Sequence, residues 1–407
     1  MIPTKRGIVM LAVAVVLYAL AWQTQIGWFY VADAIVVAIF IVNMPLPWLA
    51  MRGLSAHRTV ETRGAESSEL FEDDTVGLAI ELRNSSWLPK SLVTLRERCL
   101  LAAPDEEDKG FLMAGLAPRG RMSADYESVC YRRGVFTFEP ILVETSAPFG
   151  LFRAQRTLDA PLEVTVYPKV LPMGTTFNPG YLQGNMPDNS PPVTSGEFRG
   201  SREFQRGDRV RNIHWRNSAR SGRLMVKEFD KTPQGEIRLA FNLGFESGEG
   251  RDTTLEYAVK IAASVARRSF LDGRPFRMWP SGPEGSLATW HGVLEHLAQL
   301  EGSPDDSIPQ LLSHRGLPGV SVMVVWAEDR DTLASVQHQL SLAGHMVAVL
   351  LEGFGPREDE AATDAAEALG RMGMTVVHCR LGELGDALES LGRTMVTPEP
   401  AGRRIWA

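Results

Sequence analysis

The sequence predicts an α+β multidomain chain: an N-terminal transmembrane helical hairpin, a β-sandwich domain, then a doubly wound α/β domain. Three observations carry that reading. Two long apolar runs stand at the N-terminus, and short alternating segments broken by Pro, Gly and Asn fill residues 55–168. From about residue 236, β-branched runs and segments of helical period take turns to the C-terminus.

The apolar runs are "GIVMLAVAVVLYALAW" (7–22) and "IGWFYVADAIVVAIFIVNMPLPWLA" (26–50), parted by Gln23, Thr24 and Gln25. A membrane span needs roughly 20 apolar residues. The first run is short for that, and Lys5 and Arg6 before it also fit a signal peptide, but no small-residue cleavage site follows. Two spans at about 7–22 and 26–46 form a hairpin within residues 1–52, satisfying every backbone group in lipid. Lys5 and Arg6 flank one end and Arg52, His57 and Arg58 the other, while the connecting loop is uncharged. Positive charge stays inside, which predicts a two-pass protein of the inner (plasma) membrane with its soluble domains cytoplasmic. Asp33 lies inside the second run, about 9 Å from the helix start by helical rise. It reads as a near-interface carboxylate, with a functional intramembrane acid as the other reading.

Residues 53–168 are assigned to the sandwich through "TVGLAIELRN" (75–84), "SLVTLRERCLL" (91–101), residues 121–152 and "LEVTVYP" (162–168). Residues 169–235 connect it to the α/β domain, residues 236–398, and residues 399–407 read as a tail. In that domain, "EIRLAFNL" (236–243), "FRMWP", "GVSVMVVWAE" (319–328), "HMVAVLLEG" (345–353) and "MTVVHCR" (374–380) read as strands. Helices are predicted over 253–271, 288–300, 331–344, 358–373 and 384–395, the first capped by Thr253 or Thr254.

Composition narrows the function. The chain has 407 residues, enough for two or three domains, and a net charge of −7, which gives no support to bulk nucleic-acid binding. Cys99, Cys130 and Cys379 are scattered, without the spacing of a zinc site, and fit a reduced compartment.

One connecting stretch departs from all this. "REFQRGDRVRNIHWRNSARSGRL" (202–224) sets Ile213, Trp215 and Leu224 among arginines. From Arg199 to Lys227 there are nine basic residues against two acids, Glu203 and Asp208. Arginine suits planar, bidentate contact with carboxylate or phosphate, and Trp215 can stack on a guanidinium. Three readings are open. Arg202, Arg211 and Arg220 could pair with Glu203, Asp208 and carbonyls to lock two domains together, the apolar residues pinning the segment to the protein body. The stretch could instead present an anionic docking site, or, against the acidic net charge, a nucleic-acid groove.

The segment 198–229 strongly resembles the signature of the domain of unknown function 58 family, on Gly200, Arg202, Glu203, Phe204, Gly207, Asp208, Arg211, Ile213, Trp215, Ser218, Ala219, Arg220 and Leu224. The stretches 130–152 and 166–168 and the hairpin are similar as well, so the resemblance covers essentially the whole chain. It implies a C-terminal domain like von Willebrand factor A domains, and a MoxR-type AAA+ ATPase as partner. It implies no established reaction. Such domains hold a divalent metal on Asp–x–Ser–x–Ser after the first strand. Here that place reads Asn242, Gly244 and Glu246, a degenerate metal position, and no cofactor is expected.

Catalytic motifs are absent from the sequence: no P-loop, GxSxG or paired cysteines, and His291 and His296 are one residue too far apart for HExxH. His214 has no evident nucleophile beside it. The expectation is a membrane-anchored, non-enzymatic adaptor that binds a partner such as a MoxR-type ATPase, with Arg202, Glu203, Gly207, Asp208, Arg209, Arg211, Trp215, Ser218 and Arg220 as a motif that holds the domain junction or binds the partner. The alternatives are a von Willebrand-like receptor for a ligand or divalent metal and, more remotely, a hydrolase or nuclease.

Overall fold

The computed structural model describes residues 2–62, 69–174, 198–203, 214–229, 236–244, 246–281, 286–303, 306–310, 321–339, 346–355 and 358–396. The expected tail, residues 399–407, and residues 204–213 of the arginine-rich stretch lie outside these residues. The chain divides into two compact units, Met1–Lys169 and Val170–Ala407.

The first unit joins the apolar hairpin to the sandwich. The helix Lys5–Thr24 and the helical segment Gly27–Met51 are long and apolar enough to cross a membrane, the latter made of the helix Gly27–Asn43 and a short continuation. The expected second span to residue 46 breaks at Met44–Pro45, because proline cannot donate to the preceding turn, and restarts as the short helix Leu46–Met51. Asp33 is half-buried in the hairpin, its Oδ1 shielded and without a hydrogen-bond partner among the described residues. Ahead of the first helix, β1 (Ile2–Pro3) adds to a sheet edge. Thr4 caps that helix by accepting from the Gly7 amide at 3.2 Å, and its own amide donates to the Leu151 carbonyl at 2.9 Å.

The remaining strands are β2 (Leu54–Thr62), β3 (Leu70–Phe71), β4 (Thr75–Asn84), β5 (Lys90–Arg98), β6 (Asp108–Leu116), β7 (Arg121–Val129), β8 (Gly134–Thr137), β9 (Ile141–Thr145), β10 (Phe152–Leu158) and β11 (Glu163–Tyr167). They form sheets of order β1-β10-β9-β5-β6, β2-β4-β7 and β3-β11-β8. Alternation along each strand sends one set of side chains inward. Leu54, Ile80 and Leu82 meet Val93, Leu95, Ile141 and Val143 in one core, and Leu78, Cys99, Phe136 and Val166 fill a second.

A charged pair, Arg58 and Glu97, is buried inside the sandwich. The sequence reading set His57 and Arg58 as flanks of the membrane span, but both lie in β2. His57 faces outward, whereas Arg58 is 3% exposed and reaches Glu97, on β5, at 2.6 Å. Arg58 also donates to the Ala160 and Glu139 carbonyls and lies over the Phe138 ring, while the Tyr126 hydroxyl donates to Glu97 at 2.9 Å. Burial pushes the Glu97 carboxyl up, and the Arg58 charge pulls it back.

In the second unit, β14 (Ile237–Phe241), β17 (Phe276–Trp279), β18 (Val322–Trp326), β19 (Val347–Glu352) and β20 (Thr375–Arg380) form one parallel sheet of order β17-β14-β18-β19-β20. Two small hairpins complete the strands: β12 (Phe198–Glu203) with β13 (Met225–Phe229), and β15 (Gly248–Glu249) with β16 (Asp252–Thr253). On one sheet face, Leu239, Phe241, Val324 and Val349 pack with the helices Thr254–Leu271 and Leu384–Val396. On the other, Met323, Val325, Ala348 and Leu350 pack with Arg330–Gln339 and Glu358–Arg371. Continuous apolar strands are the consequence of covering both faces. The Thr253 hydroxyl caps the long helix by accepting from the Glu256 amide. That helix also buries its outer side, where the Leu171 amide donates to Ser264 Oγ and Val170, Leu171 and Met173 join the core.

Candidate functional site

Two places in the second unit gather the residues singled out from sequence. The first is the arginine-rich hairpin. Arg202 and Glu203 stand near the end of β12, in register with Val226 and Met225 of β13. Gly207, Asp208, Arg209 and Arg211 lie outside the described residues. The chain then forms the helix Trp215–Ser221, ended by Gly222 in the left-handed region at φ +68°, where a side chain would strain the backbone.

Ser218 anchors this helix to the strand. Its hydroxyl accepts from the Met225 amide at 2.8 Å and donates to the His214 carbonyl at 3.0 Å, while the His214 amide donates to the Met225 carbonyl at 2.7 Å. That leaves the helix surface presented outward. Trp215 is 65% exposed and Leu224 48%, so neither pins the segment to a core as the sequence reading expected. Arg216, Arg220 and Arg223 are exposed around them, with Arg216 and Arg220 one turn apart on the same side. The polar Ser218 holds the segment down, and the apolar residues point away.

The second place is the carboxyl edge of the parallel sheet, beside the neighbouring strands β14 and β18, where connections leave in opposite directions. Just past β14, Asn242 Nδ2 donates to Asp329 Oδ2 at 2.6 Å and to Thr332 Oγ1 at 3.0 Å, and its Oδ1 accepts from the Gly244 amide at 2.9 Å. Asp329 Oδ1 in turn accepts the Thr332 amide at 3.0 Å, capping the next helix. A divalent cation does not fit this donor set. The amide directs two N–H groups at the oxygens a cation would take, Gly244 offers no side-chain oxygen, and Glu246 is exposed. Among the described residues no three His, Cys, Asp or Glu side chains gather as a cation site.

Further along this edge, a cleft of about 640 Å³ is lined by Glu352, Gly353, Ala362, Thr363, His378, Arg380 and Leu381. Its buried carboxylate, Glu352, is paired with His378 Nδ1 at 2.5 Å and Arg380 Nε at 3.4 Å. The thiols offer no nucleophile. All three cysteines are buried, and burial pushes Cys130 and Cys379 up to about 12. His291 pairs with Glu295 one turn along its own helix, and His296 lies against the Pro280 carbonyl.

Sequence reasoning missed Asp329 and Thr332, which stand 87 and 90 residues beyond their partner, Asn242. A capping signal, Asp three residues before Thr at a helix start, was there to be read, but not its pairing with Asn242.

Residues 200–274 match the family described as "Protein of unknown function DUF58". Over 353 residues the chain is 23% identical to "Uncharacterized protein YeaD" of Bacillus subtilis (strain 168), covering 81% of this chain and 85% of the relative. Among solved structures, red sea bream transglutaminase matches at TM-score 0.18 and 12% identity, over 28% of this chain and 15% of its own. A GH20 exo β-N-acetylglucosaminidase from Vibrio harveyi matches at TM-score 0.21 and 9% identity, over 84% and 75%.

Proposed function

We propose that this chain is a membrane-anchored, non-enzymatic adaptor whose cytoplasmic part docks a partner protein, a MoxR-type AAA+ ATPase, at the membrane. The observation that carries the reading is Trp215, two-thirds exposed on a helix fastened by Ser218 and set among Arg216, Arg220 and Arg223. Exposed tryptophan and arginine on a rigid support are the residues that dominate binding energy at protein interfaces. An acidic, partly apolar partner surface would complement them.

Three further points support it. The apolar spans Lys5–Thr24 and Gly27–Met51 suit a two-pass anchor in the inner membrane, and Lys5, Arg6 and Arg52 favour a cytoplasmic placement of the sandwich and the α/β domain. The parallel sheet with helices on both faces fits a von Willebrand factor A-like domain whose metal position has been taken over by Asn242. Binding would therefore be independent of a cation. The ATPase as partner comes from the family resemblance of residues 198–229.

Affinity capture from gently solubilised membranes, with and without chelator, tests the reading. Co-purification of an AAA+ ATPase in both conditions is expected. Capture that vanishes with chelator would favour a metal-dependent receptor, and turnover of a hydrolysable substrate would defeat the non-enzymatic assignment.

A further inference from the structure

The sandwich is electrically polarised along its strands. At the end where the hairpin attaches, five chain segments come together: 2–8, 44–54, 83–92, 117–121 and 145–153. Backbone contacts join them. The Ser85 amide donates to the Gly53 carbonyl at 2.7 Å, the Arg119 amide to the Ser86 carbonyl at 3.1 Å, and the Thr4 amide to the Leu151 carbonyl at 2.9 Å. The Thr145 hydroxyl donates to the Leu92 carbonyl at 2.9 Å, and Lys90 Nζ to the Leu49 carbonyl at 2.8 Å. These segments hold eight Lys or Arg and no Asp or Glu, in a chain of net charge −7. All but Lys90 of those basic residues are exposed.

The same end carries exposed apolar side chains. Trp48 is 48% exposed with the Arg52 guanidinium 3.6 Å above its ring, Trp87 is 76% exposed, Leu92 48% and Phe149 61%. Phe149 is two residues from the carbonyl that receives Thr4, and Trp87 two residues from the one whose amide meets Gly53. The opposite end is richer in acid: Glu69, Glu72, Asp73 and Asp74 lie beside the start of β4, Asp105, Glu106 and Glu107 between β5 and β6, and Asp108 opens β6, outnumbering Arg98, Lys109 and Lys169, which pair with Glu107, Glu106 and Asp73.

We infer that this basic, aromatic-studded end is a second membrane contact, seated in the headgroup layer of an anionic bilayer around the base of the hairpin. The inference rests on the membrane-anchor reading. The occupant is fixed by continuity, since the surface begins where the apolar helices end. Tryptophan and phenylalanine at that level match the interfacial belt, and lysine and arginine match the negative surface potential of the cytoplasmic leaflet. The acidic far end would be repelled from the same surface. The sandwich is thereby held upright and close, more firmly than by a hairpin alone.

Site-directed spin labelling of the full chain tests this. Single labels at positions 35, 87, 149 and 106 are placed in vesicles of phosphatidylcholine with phosphatidylglycerol, or of phosphatidylcholine alone. Collision with oxygen against a water-soluble nickel chelate gives the depth of each. Expected is position 35 in the hydrocarbon, 87 and 149 at headgroup depth, and 106 in water. In phosphatidylcholine alone, 87 and 149 should move toward water while 35 stays. Labels at 87 and 149 as aqueous as 106, with 35 still buried, would overturn the inference and leave the anchor standing. Depths at 87 and 149 that ignore lipid charge would overturn its electrostatic part. An aqueous position 35 would remove the anchor and this contact together.

Discussion

Replacing Asn242 by Asp isolates what the amide does at the carboxyl edge. The variant loses a donor to the Asp329 carboxylate and another to the Thr332 hydroxyl. Hydrogen bonds to a charged group contribute about 1.5–3 kcal/mol and neutral ones about 0.5–1.5 kcal/mol. Two carboxylates would then face each other where the amide and carboxylate now stand 2.6 Å apart. Repulsion of about 4 kcal/mol for charges roughly 4 Å apart at an effective dielectric of about 20 is relieved in part when one carboxyl takes up a proton. The expected net loss is about 3–6 kcal/mol, a large share of a domain's usual margin. Thermal melting of the full chain in chelator should show a fall of at least about 6 °C. Asn242→Ala, which removes the donors without adding charge, should fall less. Millimolar Mg²⁺ should recover part of the loss in Asn242→Asp alone, because two carboxylates and a hydroxyl make a hard-cation site. An Asn242→Asp variant that melts like wild type in chelator would sink this account of the amide. So would a wild type stabilised by Mg²⁺ as strongly as the variant.

The ion pair inside the sandwich gives a second prediction. Glu97→Gln leaves Arg58 buried with no counter-charge and should cost about 3–5 kcal/mol in denaturant unfolding, while a paired Arg58→Met, Glu97→Leu change should recover most of it. Burial lowers the His296 pKa from its ordinary 6.5, so the unfolded chain takes up a proton that the folded one refuses. Its contribution to stability is therefore complete above 6.5 and is lost as pH falls toward the depressed value. Stability measured from about pH 7.5 down to about 5.5 should drop more steeply in wild type than in His296→Gln. Gly7→Ala places a Cβ against the Leu151 carbonyl oxygen and should force the first helix off the sandwich. Overpacking of this kind costs about 1–3 kcal/mol and should appear as faster deuterium uptake over residues 2–8.

Strand alternation and helix caps were the legible part of the sequence. The run 75–84 has the bounds of β4, and of the two caps read for the long helix, Thr253 or Thr254, Thr253 is the one that caps it. Less legible was β6, Asp108–Leu116, where Asp108, Lys109 and Gly110 hide an edge strand behind turn-like composition. Arg58 and Glu97 occupy inward positions of β2 and β5, in step with Leu54 and Ala56 and with Val93 and Leu95. The sequence reading took Arg58 for a flank of the membrane span, because a guanidinium is tolerated inside only with the partner that the facing strand supplies. Trp215 shows the opposite failure. An apolar residue among arginines reads as a pin to the core, but Ser218 supplies the fastening instead. The Asn242 substitution was visible, whereas its consequence depended on two residues more than eighty positions away.

The sharpest test of the adaptor reading is titration of the purified AAA+ ATPase onto the full chain in lipid nanodiscs, in the presence of chelator. Wild type should bind saturably, unchanged by the chelator. Trp215→Ala should weaken binding about 30-fold, the equivalent of a hot-spot loss of about 2 kcal/mol, and the double Arg209→Ala, Arg211→Ala change should weaken it as well. No saturable binding by wild type, or binding that disappears in chelator and ignores Trp215, would rule the adaptor out.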